Sequence, residues 1–481
     1  MGPSMRVFVS LGCLAIAVAA TPDCDGGGQT ISRDVAVVGG GASGAHAAVW
    51  LRDNGYSVVV VEKASQLGGH TDFYNDPVTG KAINVGVQTW VEYKDAFDFP
   101  ERMNVSASGS MQFTPNENMY IDYKTGKPVP DYTAPAAADV FPALQRYLDA
   151  IEKYEDMVLP GFFNFPDAAD IPEDLLMPFA EFVDKYDIAA AVPQIWDSTA
   201  QGLGDTMNVP TLWVIQACGI PMIRALLGMG AAAVPASGRL YDLFENVAGF
   251  LGSDVLYSST VVSATRHSNT RDGLSLKVRG TDGEVTCIRA KRLLIAIEPT
   301  AESMAPFQLD GAEKDVLGKF KYPTVYAGIV RHPSLQPLHA YTHRSPAPES
   351  YNYTVFPVAP QVGRIDYLGE TEDLFQFTAV GTKDDSAESM RALIARSIGA
   401  MVEAGTLPIS KGSVSFPIFA DHGHMHAHVS ADDLRAGFIQ KLNALQGRRN
   451  TWYTGAAFSA GFATVLWEYN KVLLPKVVEG L

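Results

Sequence analysis

Six residues near the N-terminus have the types and spacing of a phosphate-binding turn, and a carboxylate follows where a sugar would need one. The turn is Gly39-Gly40-Gly41-Ala42-Ser43-Gly44, and Glu62 lies 18 residues beyond Gly44. Gly39 permits a tight turn, Gly41 lets backbone approach a pyrophosphate, and Gly44 lets a following helix pack closely on the preceding strand. The N–H groups of that helix's first turn, where Ala42 and Ser43 stand, offer unpaired donors and a positive dipole end to phosphate oxygens. A carboxylate at Glu62 accepts hydrogen bonds from ribose hydroxyls and repels a 2′-phosphate. Together these residues predict a dinucleotide site.

A second group is His422-Gly423-His424-Met425-His426-Ala427-His428. On an extended strand all four imidazoles would share one face, and neighbouring pairs could chelate a metal. No carboxylate or cysteine motif matches them, so no metal site is assigned. They read instead as a strand or loop beside a substrate pocket. His424 and His426 are candidate bases there, as is Tyr353.

The elements that must position the turn are legible around it. Val35-Ala36-Val37-Val38 is a short apolar run of the kind found in buried parallel strands. Residues 45–54 read as a helix closed by Gly55, and residues 56–61 read as a second strand ending on Glu62. No other stretch reads as strand, glycine turn and helix, so a second nucleotide domain is not expected. Any redox cofactor bound here would then take electrons from the substrate, or pass a hydride out and back.

The residues after Glu62 carry a resemblance. Lys63-Ala64-Ser65-Gln66-Leu67-Gly68-Gly69-His70-Thr71 resembles the flavin amine oxidase superfamily, in which this loop leads the chain along the pyrophosphate towards the flavin. Ile83-Asn84-Val85-Gly86-Val87-Gln88 is similar to the segment that passes close to the isoalloxazine ring. Residues 254–261 resemble the strand whose end meets adenine through backbone, which points to Val261. Residues 291–299 resemble the strand returning to the nucleotide domain. Trp452-Tyr453-Thr454-Gly455-Ala456-Ala457, before a helix over 463–474, is similar to the glycine turn that cups the ribityl phosphate. More closely, residues 33–88 and 445–455 resemble the fungal β-cyclopiazonate dehydrogenase-like flavoproteins, although residues 458–463 are less polar than that family's pattern.

The resemblance implies FAD as cofactor. Its binding residues would be Gly39, Gly41, Ala42, Ser43, Gly44, Glu62, Lys63, Gly68, Gly69, His70, Val87, Val261, Gly455 and Ala456. It implies an α/β fold: an FAD-binding Rossmann-like domain of the glutathione reductase/amine oxidase type with an inserted α+β substrate domain. The nucleotide pieces are dispersed over residues 30–90, 239–310 and 436–481, which leaves 91–238 and 311–435 for the substrate or cap domain. Helix formers dominate 136–230, with an amphipathic run at 143–154, while 322–380 alternates like strands, notably over 350–358.

The expected activity is dehydrogenation or oxidation of a small organic, secondary-metabolite-like substrate by hydride transfer to flavin N5. Oxygen or another acceptor would reoxidise the flavin. The rival expectations are a redox-neutral polyenoic fatty acid isomerase and a non-enzymatic binding protein of the same fold. Intact Gly39, Gly41, Gly44 and Glu62 count against the last.

Bulk properties agree. A chain of 481 residues, 47% hydrophobic and 19% charged, can bury a large two-domain interior. A formal charge of −16 disfavours nucleic-acid partners. Residues 1–20 have a basic start and a short apolar run ending in Ala17-Val18-Ala19-Ala20, the pattern of a cleaved signal peptide, and no later run of roughly 20 apolar residues predicts a stable membrane span. A secreted glycoprotein would use the sequons at Asn104 and Asn352. Of the cysteines left after cleavage, Cys24, Cys218 and Cys287, one pair could bridge, but buried free thiols are the expectation.

Overall fold

The computed structural model describes residues 29–111, 114–130, 132–267, 273–346, 355–369 and 373–481. Two seven-stranded sheets organise them. The first is built around β1 (Thr30–Val38), with β2 (Val58–Val61) parallel on one side and the strand Val285–Ile295 parallel on the other. Val35, Ala36, Val37 and Val38 are buried, as a central strand covered on both faces requires. The short strand Val255–Leu256 extends the sheet beyond β2. The strands Ser259–Arg266 and Leu274–Gly280 run antiparallel into the first half of Val285–Ile295, and Thr451–Tyr453 joins its last three residues in parallel. Segments from both ends and the middle of the chain therefore share one sheet.

Helix α1 spans Ala42–Asp53 and ends on Asn54, with Gly55 at φ +84°. It starts three residues before the sequence expectation because Gly41, not a side-chain cap, opens it. The predicted single strand over 254–261 is two pieces, broken at Tyr257 and Ser258, where Ser258 takes φ +49°.

The second sheet holds the strands Ser415–His424, Thr324–Arg331, Phe375–Gly381, Gln361–Tyr367, His339–His343 and Glu117–Asp122, in that order, with Lys127–Pro128 at the edge. The helix Ala387–Glu403 lays Met390, Ile394, Ile398 and Met401 against it. Helices fill much of 137–226, including Ala137–Ile151 over the expected amphipathic run, and Trp90, Trp196 and Trp213 are core residues. Residues 355–358 are not a strand, and 350–354 lie outside the described residues.

Cys218 is a buried free thiol, but Cys287 is disulfide-bonded, which corrects the expectation of free thiols. The reason is register: Cys287 pairs with Thr30 and donates its N–H to the Gln29 carbonyl, so its strand runs beside the N-terminal segment. Among the described residues no helix is long and apolar enough to cross a membrane.

Candidate functional site

The end of β1 delivers the glycine turn to the start of α1. Gly39 adopts φ +101°, and its N–H bonds the Val61 carbonyl of β2 at 2.9 Å. A Cβ on Gly44 would lie 1.9 Å from the Gly39 carbonyl oxygen, so only glycine lets α1 pack this close. A Cβ on Gly41 would meet nothing nearer than 3.6 Å, and that atom belongs to Gly69. Space is thus kept open beside the first N–H groups of α1, which no side chain caps. The Gly68-Gly69 loop crosses beside them, with the Gly68 N–H on the Gly40 carbonyl at 3.0 Å. Lys63 and Gly69 are exposed along it.

Glu62 ends the second strand and is buried. Its Oε2 accepts the Gly40 N–H at 2.6 Å and its Oε1 accepts the Ala64 N–H at 2.7 Å. Each oxygen keeps a further lone pair, which a ribose hydroxyl can use. The Glu62 main chain is held by Leu256 and Ser259. Val261 follows on the next strand, paired with Val278 and immediately before a break in register.

The C-terminal turn closes the cradle. Thr454 donates its N–H to the Ile295 carbonyl, and Gly455 then takes φ +111°, with nothing within 4 Å of where a Cβ would stand. Ala456 opens a short 3-10 turn before the C-terminal helix Ala463–Val478. Ser43, Thr454 and Asn470 are joined by buried hydrogen bonds, and Trp467 Nε1 reaches the Ala42 carbonyl at 3.2 Å. Gly41 and Gly455, the two open glycines, are therefore carried on elements tied to each other. An open turn, an uncapped helix end and a buried carboxylate with spare acceptor capacity fit the diphosphate and ribose of FAD.

The hairpin of β3 (Thr71–Asn75) and β4 (Ala82–Gly86) leads from the cradle to the second sheet. At its base the Val87 N–H bonds the His70 carbonyl at 3.3 Å. The His70 and His422 rings lie 5.0 Å apart, and a Cβ on Gly86 would stand 2.6 Å from His422 Nε2, which is buried and unpartnered. Burial first, and then neighbouring positive charge, push His422 down to about 3 and His70 and His426 down to about 4, so all three stay neutral near pH 7.

The four imidazoles of 422–428 do not share one face. The strand ends at His424, and Gly423 (φ +65°) and His426 (φ +51°) turn the chain out of the extended form. His424 meets the Tyr322 ring edge-on at 5.6 Å, the His426 ring packs on Gly202, and His428 bonds the His426 carbonyl. Among the described residues no three or more metal-ligating side chains come together. Tyr353 lies outside the described residues.

Sequence reasoning missed Glu298 and Tyr322. Burial raises the Glu298 carboxyl to about 8 and raises the Tyr322 phenol strongly, with Glu298 adding to the latter. The available signal was an acid directly after the apolar run Leu293-Leu294-Ile295-Ala296-Ile297, where a solvated side chain has no place.

Comparison with known proteins agrees with this geometry. A family model described as an NAD(P)-binding Rossmann-like domain matches residues 37–102. Among solved structures, a conjugated-linoleic-acid-producing fatty acid isomerase from P. acnes superposes with a TM-score of 0.67 at 19% identity, covering 92% of this chain and 98% of that one. A putrescine oxidase superposes with a TM-score of 0.59 at 16% identity, covering 94% and 100%. These two share the fold. The FAD-dependent oxidoreductase pigF of Monascus ruber is 33% identical over 94% of this chain and 93% of its own. The β-cyclopiazonate dehydrogenase of Aspergillus oryzae is 30% identical over 98% and 99%. With that identity along nearly its whole length and the FAD cradle intact, the chain belongs to the β-cyclopiazonate dehydrogenase-like FAD-dependent oxidoreductases.

Proposed function

We propose that this enzyme dehydrogenates a small organic biosynthetic intermediate. FAD held in this cradle would supply a two-electron acceptor for the hydride of a substrate C–H bond, with a proton lost from the neighbouring atom and oxygen or another acceptor taking the electrons on. The chain's own residues bind and orient. The glycine turn and α1 hold the diphosphate, Glu62 the ribose, and the turn at Gly455 the ribityl phosphate. His70, Gly86 and His422 form the junction between cradle and second sheet. His424, His426 and Tyr353 are the candidate acceptors of the substrate proton.

The observation that carries this reading is the complete cradle in a chain aligned end to end with FAD-dependent oxidoreductases. Redox-neutral isomerisation, as in the P. acnes fold neighbour, is the rival. Anaerobic mixing of the purified flavoprotein with a panel of candidate intermediates separates the two. Bleaching of the flavin by one compound and recovery in air is the expected result; a persistent flavin spectrum while product accumulates would replace oxidation by isomerisation.

The same proposal places the enzyme in the secretory pathway. Its support is the leader-like start, the exposed Asn104 and the disulfide at Cys287, a bond favoured in oxidising compartments. Loss of residues 1–20 would leave Cys24 as the sulfur available to Cys287. Peptide mapping of secreted protein without reductant is expected to find that pair joined; both thiols free would remove this part of the reading.

A further inference from the structure

The strand Gln361–Tyr367 carries one residue too many against its neighbour. Val362 opposes Ala379 and Arg364 opposes Thr378, so Gly363 is the extra residue of a bulge. Val362, Ile365 and Tyr367 point to the face covered by the helix Ala387–Glu403. Arg364 and Asp366 therefore stand on the other face, where the row Ala327, Thr378, Arg364 crosses three adjacent strands. That face is covered at two places. The β3–β4 hairpin lands on it at one end, where Val85 packs with Ala327, Ile329 and Ala420. The helical region arrives at Gly363, where a Cβ would stand 2.0 Å from Gln201 Oε1 and 3.4 Å from the Trp196 ring. Arg364 lies in the gap between them, its side chain 29% exposed.

The gap adjoins the cofactor cradle. Val85 directly precedes Gly86 and Val87, and Arg364 is two strand spacings, about 10 Å, from where that hairpin meets the sheet. On the other side, Gln201 directly precedes Gly202, against which the His426 ring packs. Asp366 approaches the guanidinium from its side: Oδ2 is 3.0 Å from Nε and Oδ1 is 3.2 Å from Nη2. No hydrogen bond or ion pair among the described residues takes Nη1. The free end, formed by Nη1 and the second Nη2 N–H, is the fork that holds a carboxylate by two parallel bonds. Arg344, packed over the same Trp196 ring at 5.3 Å, is unavailable. It is 0% exposed, enclosed by the further rings of Tyr120, Tyr132 and Phe356, and bonded to Asp197 at 2.8 Å. The acids Asp197 and Asp366 are each paired with an arginine, so neither is left free to repel an arriving carboxylate.

We propose that Arg364 is the specificity-determining anchor for a carboxylate on the substrate, which Nη1 and Nη2 hold end-on while Asp366 fixes the guanidinium from the side. The rest of a small substrate then spans the gap between the hairpin and His426. This rests on the dehydrogenase reading above and narrows its substrate class to acids.

The test is calorimetric titration of FAD-loaded enzyme with benzoate and with benzamide, its neutral isostere. Benzoate is expected to bind about tenfold more tightly than benzamide, because only the anion pairs with the fork. Arg364→Gln should weaken benzoate about tenfold and leave benzamide within about threefold of wild type. Arg364→Lys should restore only part of the loss, since an ammonium group is a point charge without the fork. Asp366→Asn should tighten benzoate, because it removes the opposing charge and leaves Arg364 in place. Absence of saturable benzoate binding, equal affinity for the two probes, or unchanged benzoate affinity in Arg364→Gln would each overturn the anchor. Flavin content per protein is measured in parallel and reports folding. If Arg364→Gln loses flavin, Asp366→Asn decides, and weaker benzoate binding there would overturn the proposal. These titrations need no turnover, so failure to find a compound that bleaches the flavin would strike the dehydrogenase reading alone.

Discussion

The hydroxyls of Ser43 and Thr454 lie 2.7 Å apart, although 411 positions separate them in the chain. Asn470 sets the direction of this bond. Its Nδ2 donates to the Ser43 carbonyl, so its Oδ1 must be the atom that accepts from Thr454 Oγ1, both at 2.7 Å. The single Thr454 proton is thereby used, and Ser43 must be the donor to Thr454. The Ser43 side chain therefore braces the start of α1, and phosphates are left to the backbone N–H groups.

That network ranks two substitutions. Ser43→Ala removes one hydrogen bond and should cost about 1 kcal/mol, with FAD affinity nearly unchanged. Asn470→Leu removes the bonds to the Ser43 carbonyl and the Thr454 hydroxyl together and should cost about 2–4 kcal/mol while loosening the cradle. Urea unfolding and flavin content of both variants check the order; equal losses would mean that Asn470 is not the hub.

Two glycines of the turn should fail in different ways. Gly44→Ala drives a methyl into the Gly39 carbonyl, so the protein should unfold at markedly lower temperature and lose flavin with its fold. Gly41→Ala meets no protein atom closer than 3.6 Å and should leave the apoprotein's stability within about 1 kcal/mol. Its methyl enters the space read as the diphosphate site, so FAD affinity should fall at least tenfold. Thermal midpoints of the two apoproteins, followed by FAD titration, separate these outcomes. Normal FAD affinity in Gly41→Ala would displace the diphosphate from this turn.

Glu62→Ala should lower FAD affinity about 10- to 100-fold without unfolding the chain, because it removes the ribose acceptor. Glu62→Gln should be no milder. Both carboxylate oxygens already accept backbone N–H groups, from Gly40 and Ala64, so an amide must turn its own donor towards one of them. Equilibrium dialysis against FAD measures both. An unaltered affinity in Glu62→Ala would remove the ribose assignment.

Local chemistry made the cradle legible. Gly39, Gly41 and Gly44 act through backbone shape, and Glu62 through its place at a strand end, so short-range spacing carries both. The histidine run misled because period-two spacing suggests a strand only if every residue stays extended. Gly423 and His426 adopt positive φ, and His70, from a segment remote in sequence, supplies the ring that packs on His422. Glu298 follows a strand of the first sheet and Tyr322 precedes a strand of the second, and their burial comes from packing around them rather than from their own neighbours in sequence. Cys287 reads as an ordinary apolar strand residue until β1 is seen to run alongside it. Long-range juxtaposition of this kind leaves no local pattern.

Acid should destabilise the enzyme through its buried imidazoles. His46 is 4% exposed, packs edge-on against Phe99 at 4.7 Å, and places Nδ1 3.3 Å from Asn470 Nδ2. Burial, helped by Lys471, lowers its pKa from 6.5 to about 3. The folded form binds the proton less readily than the unfolded chain. His46 therefore adds no penalty above pH 6.5 and costs stability progressively as the pH falls towards about 3. At pH 5 the loss from one such histidine is about 2 kcal/mol. His70, His422 and His426 act in the same direction. The urea midpoint of the holoenzyme should accordingly drop between pH 7 and pH 5. His46→Leu should flatten that drop by one histidine's share, even though the loss of its polar contact with Asn470 lowers stability at pH 7. A variant as acid-sensitive as wild type would show that His46 is already protonated in the fold, in which case Asn470 must turn its amide and the brace at Ser43 cannot have the hydrogen-bond directions deduced above.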